Sequence, residues 1–216
     1  MVEDRILAIP VDYSSLGCLL RFIKIINIYD LKKQKELILF INKIEGWLGE
    51  SQQILLSCIA SQITGHIAEI GVFKGKTTAV FCSAAFRDEI VIHAIDKFSH
   101  EGLKGIKEEF LTNIYNLGYK DRVCLHEGDS SAVAAQFEDS FFDFVYIDGD
   151  HSAPAVRKDI EAYYPKLKPG KLLAGHDYPV NGVDNELRPV VDELVKNNNR
   201  FEGFADFSGI WAAIKK

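Results

Sequence analysis

Apolar residues recur along the chain with two different periods, and the change falls near residue 65. Upstream, Leu37, Phe40, Ile41, Ile44 and Leu48 repeat at helical spacing, as do Ile54, Leu55, Cys58, Ile59 and Ile63. Each set lines one side of a 3.6-residue helix. Asp30 is placed to cap the first of these helices. Residues 12–28 hold a third apolar segment, compatible with a helix.

Downstream, short apolar runs at 66–70, 90–95, 123–126, 141–147 and 171–174 alternate with amphipathic stretches at 76–86, 102–117 and 153–167. In the last stretch Ser152 stands as cap, Pro154 falls in the first turn, and Val156, Ile160, Tyr163 and Leu167 share one side. Short buried strands joined by helices make βαβ units. The pattern therefore predicts an α/β fold with a Rossmann-like, doubly wound, mostly parallel sheet. Two further runs, 201–204 and 209–214, are separated only by Ala205–Ser208. That is hairpin spacing, and it predicts an antiparallel C-terminal strand. The expected organisation is a helical cap over 1–64 and a Rossmann-like domain over 65–216.

Composition narrows the function classes. A chain of 216 residues, 47% hydrophobic and 26% charged, suits one domain with a substantial core and excludes a disordered chain. Lysine and arginine number 25 against 31 acids, a net charge of −6, so a broad phosphate-binding surface and a nucleic-acid partner are not expected. Cys18, Cys58, Cys82 and Cys124 show no CxxC or histidine spacing, which reads as reduced, mostly buried thiols. The start lacks a basic segment followed by a long apolar run, and no stretch approaches the roughly 20 apolar residues of a membrane span. A cytoplasmic protein without a membrane partner is expected.

Ligands of such sheets bind beyond the carboxyl ends of the strands. After the first strand comes Glu69-Ile-Gly71-Val-Phe73-Lys-Gly75-Lys-Thr77. The glycines allow a tight turn and close backbone approach, but their spacing is one residue short of a P-loop. A dinucleotide GxGxxG also fails, because bulky Phe73 stands at its second glycine. A plain strand-to-helix turn is the other reading. Asp96 ends the second strand 21 residues beyond Gly75, where an acid accepts ribose hydroxyls, unless it is a simple loop acid. Gly128, Asp129 and Ser130 follow the third strand and suit an adenine edge or a helix cap. Asp148, Asp150 and His151 follow the fourth, a set suited to proton abstraction or metal binding. The fifth strand delivers His176 and Asp177.

In this order the segments resemble class I S-adenosylmethionine-dependent methyltransferases. Ala68–Thr77 is similar to the first motif of catechol O-methyltransferase and its relatives. Phe144–Ser152 and Lys168–Tyr178 resemble the macrocin-type O-methyltransferase group, and the likeness spans about residues 50–216. The resemblance implies S-adenosylmethionine as cofactor and S-adenosylhomocysteine as product. It implies cofactor contacts from Glu69, Gly71, Phe73, Gly75, Thr77, Asp96, Gly128, Asp129, Ser130 and Asp148. It also implies a divalent-metal ligand at Asp148 and a general base at Asp150 or His151.

The chain departs from metal-dependent relatives, which carry Asp-Asp or Asp-Asn after the fifth strand where this sequence has His176-Asp177. Asp148, Asp177 and His176 are the candidate metal ligands. Magnesium prefers oxygen donors, and a histidine leans towards a transition metal. Alternatively His176 packs under the loop, bonded to backbone. The implied activity is O-methylation of a small hydroxylated acceptor, a sugar or a phenolic ring, with N-methylation also open. The rival is a nucleotide- or nicotinamide-binding protein without methyl transfer. Residues 1–64 are expected to cover the acceptor site or to form a homodimer contact.

Overall fold

The computed structural model of the protein describes residues 39, 41–84, 90–99, 104–179 and 185–216. Helix α1 (Glu50–Ala60) leads into β1 (His66–Ile70), α2 (Lys76–Ala84), β2 (Val91–Asp96) and α3 (Ile106–Asn116). Then follow β3 (Val123–Glu127), α4 (Ser130–Ala134), β4 (Phe142–Ile147), α5 (Ala153–Tyr163) and β5 (Leu167–Gly175). Last come α6 (Leu187–Val191), running into a π-helical turn (Asp192–Lys196), and the strands β6 (Phe201–Phe207) and β7 (Ile210–Lys215).

One seven-stranded sheet runs in the order β3-β2-β1-β4-β5-β7-β6. The first five strands are mutually parallel, while β7 is antiparallel to both β5 and β6. The chain starts in the middle, moves outward to β3, and then crosses to β4. The crevice between β1 and β4 is therefore the switch point where such sheets take ligands. Side chains alternate across the strands, and both faces are apolar because both are covered. One core packs Ile67, Phe144 and Tyr146 against Leu56, Phe81 and Val80 from α1 and α2. The other packs Ala68, Val145 and Ile147 against Val156, Ile160 and Val191 from α5 and α6. Fully burying a side chain such as Phe81 or Ile160 contributes roughly 1.5–3 kcal/mol.

The structure corrects several sequence expectations. The stripe predicted as one helix through Leu48 is helical only to Ile41 in its described part; turns follow, and Gly46 (φ 156) takes a backbone angle that favours glycine. Ile44 and Leu48 are buried all the same, sharing the core of α1 and α2. The stretch expected at 102–117 becomes α3 only from Ile106, after left-handed Gly105 (φ 76). The one expected to reach Leu167 stops at Tyr163, because Leu167 turns away to open β5 opposite Phe142. The segment Leu187–Lys196 carries helix where none was expected. The hairpin is present, turning at Ser208 and Gly209 (φ 51 and 88). Asp30, Cys18 and the 12–28 segment lie outside the described residues. Cys58 and Cys82 are buried, and Cys124 is exposed. Among the described residues no helix is long and apolar enough to cross a membrane.

Candidate active site

The loop after β1 turns sharply against the end of β4. Gly71 (φ 83) and Gly75 (φ 89) are left-handed, and so is Phe73 (φ 46) between them. A Cβ on Gly71 would overlap the carbonyl oxygen of Asp148, so only glycine fits there. Asp96 ends β2 and holds this loop. Its Oδ2 accepts hydrogen bonds from the amides of Val72 (2.9 Å) and Phe73 (3.0 Å), and its Oδ1 accepts one from Phe98 (2.7 Å). The acid expected at a ribose is thus also the brace that keeps Phe73 in a conformation bulky residues avoid.

A cavity of about 820 Å³ opens over these strand ends, within the roughly 300–1,000 Å³ typical of ligand sites. Gly71, Phe73, Thr77, Asp96, Gly128, Asp129, Ser130, Asp148, Asp150, His151, His176 and Asp177 all line it. Two expected contacts do not. Gly75 turns towards Phe110 of α3, and Glu69 is wholly buried below the loop. Neither carboxyl oxygen of Glu69 has a hydrogen-bond partner among the described residues. Burial pushes its pKa well above the carboxylate range, with Asp148 and Asp96 adding to the rise.

Sequence reasoning missed other lining residues. Trp47 reaches over the β1 loop, its ring 5.0 Å from that of Phe73. Lys76 donates to the Gly46 carbonyl at 3.1 Å, and burial lowers its pKa. Asp159 enters from α5; a carboxylate set in the apolar stripe of Val156, Ile160 and Tyr163 was the available signal.

The chemistry gathers where β4 and β5 end. His176 is buried, with Nδ1 3.4 Å from Asp148 Oδ1 and 3.1 Å from Asp177 Oδ1. His151 Nδ1 lies 3.2 Å from the other oxygen of Asp177. Asp177 itself holds a left-handed backbone (φ 57). Burial lifts the Asp148 carboxyl to about 7, against the pull of His176. For His176, burial opposes the charged ring, but the bond to Asp177 and the charges of Asp148 and Asp177 outweigh it, so its pKa rises. Asp150 is spent differently. Its Oδ1 accepts from the Ser152 amide at 2.9 Å, and that bond holds its pKa down. A lowered pKa makes Asp150 the weaker base of the two candidates.

The donor atoms that converge are those of Asp148, His151 and Asp177, all within 4.8 Å of one another. Two carboxylates and an imidazole fit a divalent cation, and the nitrogen favours manganese or iron over magnesium. His151 joins Asp148 and Asp177 in this cluster, where the sequence had suggested His176 beside them.

The chain is similar in sequence and in fold to known proteins. A sequence model of a family described as methyltransferase domain matches residues 68–178. No curated protein matches the chain. Among solved structures, an O-methyltransferase from Bacillus cereus in complex with S-adenosylhomocysteine is 17% identical with a TM-score of 0.62, covering 94% of this chain and 98% of that one. An S-adenosylhomocysteine-bound methyltransferase from Podospora anserina is 12% identical with a TM-score of 0.63, covering 96% and 98%. A methyltransferase from Geobacter sulfurreducens is 18% identical with a TM-score of 0.61, also covering 96% and 98%.

Proposed function

The chain belongs to the methyltransferase domain family, and on that premise we propose that it is a class I S-adenosylmethionine-dependent enzyme of the catechol O-methyltransferase-like group that methylates an oxygen of a small hydroxylated acceptor, a sugar or a phenolic ring. The observation that carries this reading is one cavity spanning the ends of all five parallel strands, with the His151–Asp177 pair inside it.

The charge of the lining supports the cofactor. Seven carboxylates and three lysines line the cavity, an acidic excess that favours a sulfonium cation and disfavours the pyrophosphate of a dinucleotide. Phe73 adds bulk where a dinucleotide site needs glycine. In the proposed site Gly71, Phe73, Thr77 and Asp96 face the methionine and ribose parts, and Gly128–Ser130 face the purine.

Methyl transfer is an in-line displacement. The acceptor oxygen forms its bond to the methyl carbon as the carbon–sulfur bond breaks, and that electron pair returns to sulfur, leaving a neutral thioether. A hydroxyl attacks well only once its proton is leaving. Asp177 holds His151 through Nδ1, which presents Nε2 to take that proton. A divalent cation held by Asp148, His151 and Asp177 would lower the pKa of a bound hydroxyl instead, the imidazole then serving as ligand and not as base. His176, between the two carboxylates, keeps them from repelling each other apart. The test is calorimetric titration with S-adenosylmethionine and S-adenosylhomocysteine, then methyl-transfer assays over catechols and sugars. Absence of affinity for both cofactor forms would overturn the reading.

A further inference from the structure

The turn Gly128–Ser130 is expected to meet the purine edge, yet both polar side chains in it are occupied. Asp129 Oδ1 accepts from the amides of Ser131 (3.2 Å) and Ala132 (3.3 Å) as the cap of α4, and Lys158 Nζ bonds both its oxygens at 2.9 and 3.0 Å. The Ser130 hydroxyl donates to Asp159 Oδ1. That leaves Asp159. It is 4% exposed, lines the same cavity, and its Oδ2 makes no hydrogen bond among the described residues. This free oxygen lies 3.9 Å from the point where a Cβ would stand on Gly149, another lining residue. An unbonded carboxylate oxygen that a nearly buried residue turns into a cavity is placed to accept a donor from a bound ligand.

We propose that Asp159 recognises the exocyclic 6-amino group of the cofactor's purine, a role that rests on the reading of this cavity as an S-adenosylmethionine site. An amino group presents an N–H to the free oxygen. A 6-oxo purine presents a lone pair there and is repelled, so the residue selects 6-aminopurines. Burial raises the Asp159 carboxyl to about 6 against the bond from Ser130, so above that pH it is an ionised acceptor.

The test titrates the full chain with S-adenosylhomocysteine and with its 6-oxo counterpart, S-inosylhomocysteine. Wild type should prefer the amino compound by about 10–100-fold, the equivalent of one charged hydrogen bond. Asp159→Asn keeps an oxygen for Ser130 and can turn its N–H to the 6-oxo group, so the preference should vanish or invert. Asp159→Ala should bring the ratio near unity. If both ligands weaken together and the ratio stays at its wild-type value in Asp159→Asn, Asp159 only holds Ser130 and the proposal is wrong. If wild type binds neither ligand, the cofactor reading itself has failed and this inference with it.

Discussion

His151 Nδ1 stands 3.2 Å from Asp177 Oδ2, so a ring from the start of the β4–α5 connection and a carboxylate from the end of β5 form one pair across the cavity mouth. A carboxylate on one ring nitrogen fixes the tautomer and orients the other nitrogen. His151→Ala should lower kcat by about 10²–10⁴-fold while leaving S-adenosylhomocysteine affinity within about twofold. Asp177→Asn should cost less, because the ring survives. Steady-state assays beside calorimetry separate the two effects, and wild-type turnover in His151→Ala would remove the residue from the mechanism.

The donor set makes its own forecast. Dialysis against EDTA should abolish turnover, and manganese should restore it better than magnesium because one donor is an imidazole. Full activity after EDTA would leave the His151–Asp177 pair as acid–base machinery alone.

Gly71→Ala should be among the most damaging single-methyl changes in the chain. The position has φ 83, and the new Cβ would overlap the Asp148 carbonyl. Left-handed strain costs about 1–2 kcal/mol and overpacking about 1–3 kcal/mol. Chemical denaturation should show a loss of that order, and cofactor affinity should fall with it.

Asp96→Ala should do more than remove a ribose contact. Three backbone amides lose their acceptor, those of Val72, Phe73 and Phe98. Stability should drop by about 1.5–3 kcal/mol even without ligand, as a melting experiment on the empty protein would record. An unchanged melting temperature would show that the loop keeps its shape without the brace.

Acid should weaken the fold through three histidines that no catalytic reading uses. His66 Nδ1 lies 3.0 Å from His93 Nε2, and His93 Nδ1 lies 3.0 Å from His126 Nε2, a ladder across β1, β2 and β3. Burial first, then the neighbouring His126 and His66, lower His93 to about 4, and burial lowers His126 as well. A folded pKa below the unfolded 6.5 means the unfolded chain binds protons first. The contribution is therefore complete above about pH 6.5 and is lost as pH falls towards 4, up to about 3 kcal/mol from His93. Urea midpoints at pH 7.5 and pH 5 should differ more in wild type than in His93→Leu.

Much of the sheet was legible because its strands are short apolar runs and its long helices carry one apolar side. The segment around Leu187–Lys196 was not, since Pro189 and the asparagines at 197–199 interrupt any period, and its burial comes from packing on α5. Gly46 marked the break after Ile41, but the periodic spacing of Ile44 and Leu48 hid it. In the site, spacing found the strand ends, and twelve of the fourteen residues expected there line the cavity. It could not find which polar atoms were already taken. Asp129, Ser130 and Asp150 look free in a sequence and are bonded in the fold, while Asp159 looks like part of a helix surface and turns an unbonded oxygen into the cavity.

β7 follows β6 along the chain yet lies between β5 and β6 in the sheet. During synthesis, β5 therefore waits with one row of amides and carbonyls unpaired until residues 210–215 have left the ribosome. Gly175 pairs with Trp211, so the strand end that carries His176 and Asp177 acquires its second neighbour only then. A nascent chain can assemble β1 to β4 and the proposed purine side of the cavity early, but the β5 side, with His176 and Asp177, is the last to be completed, and until then it exposes an edge that other chains could capture.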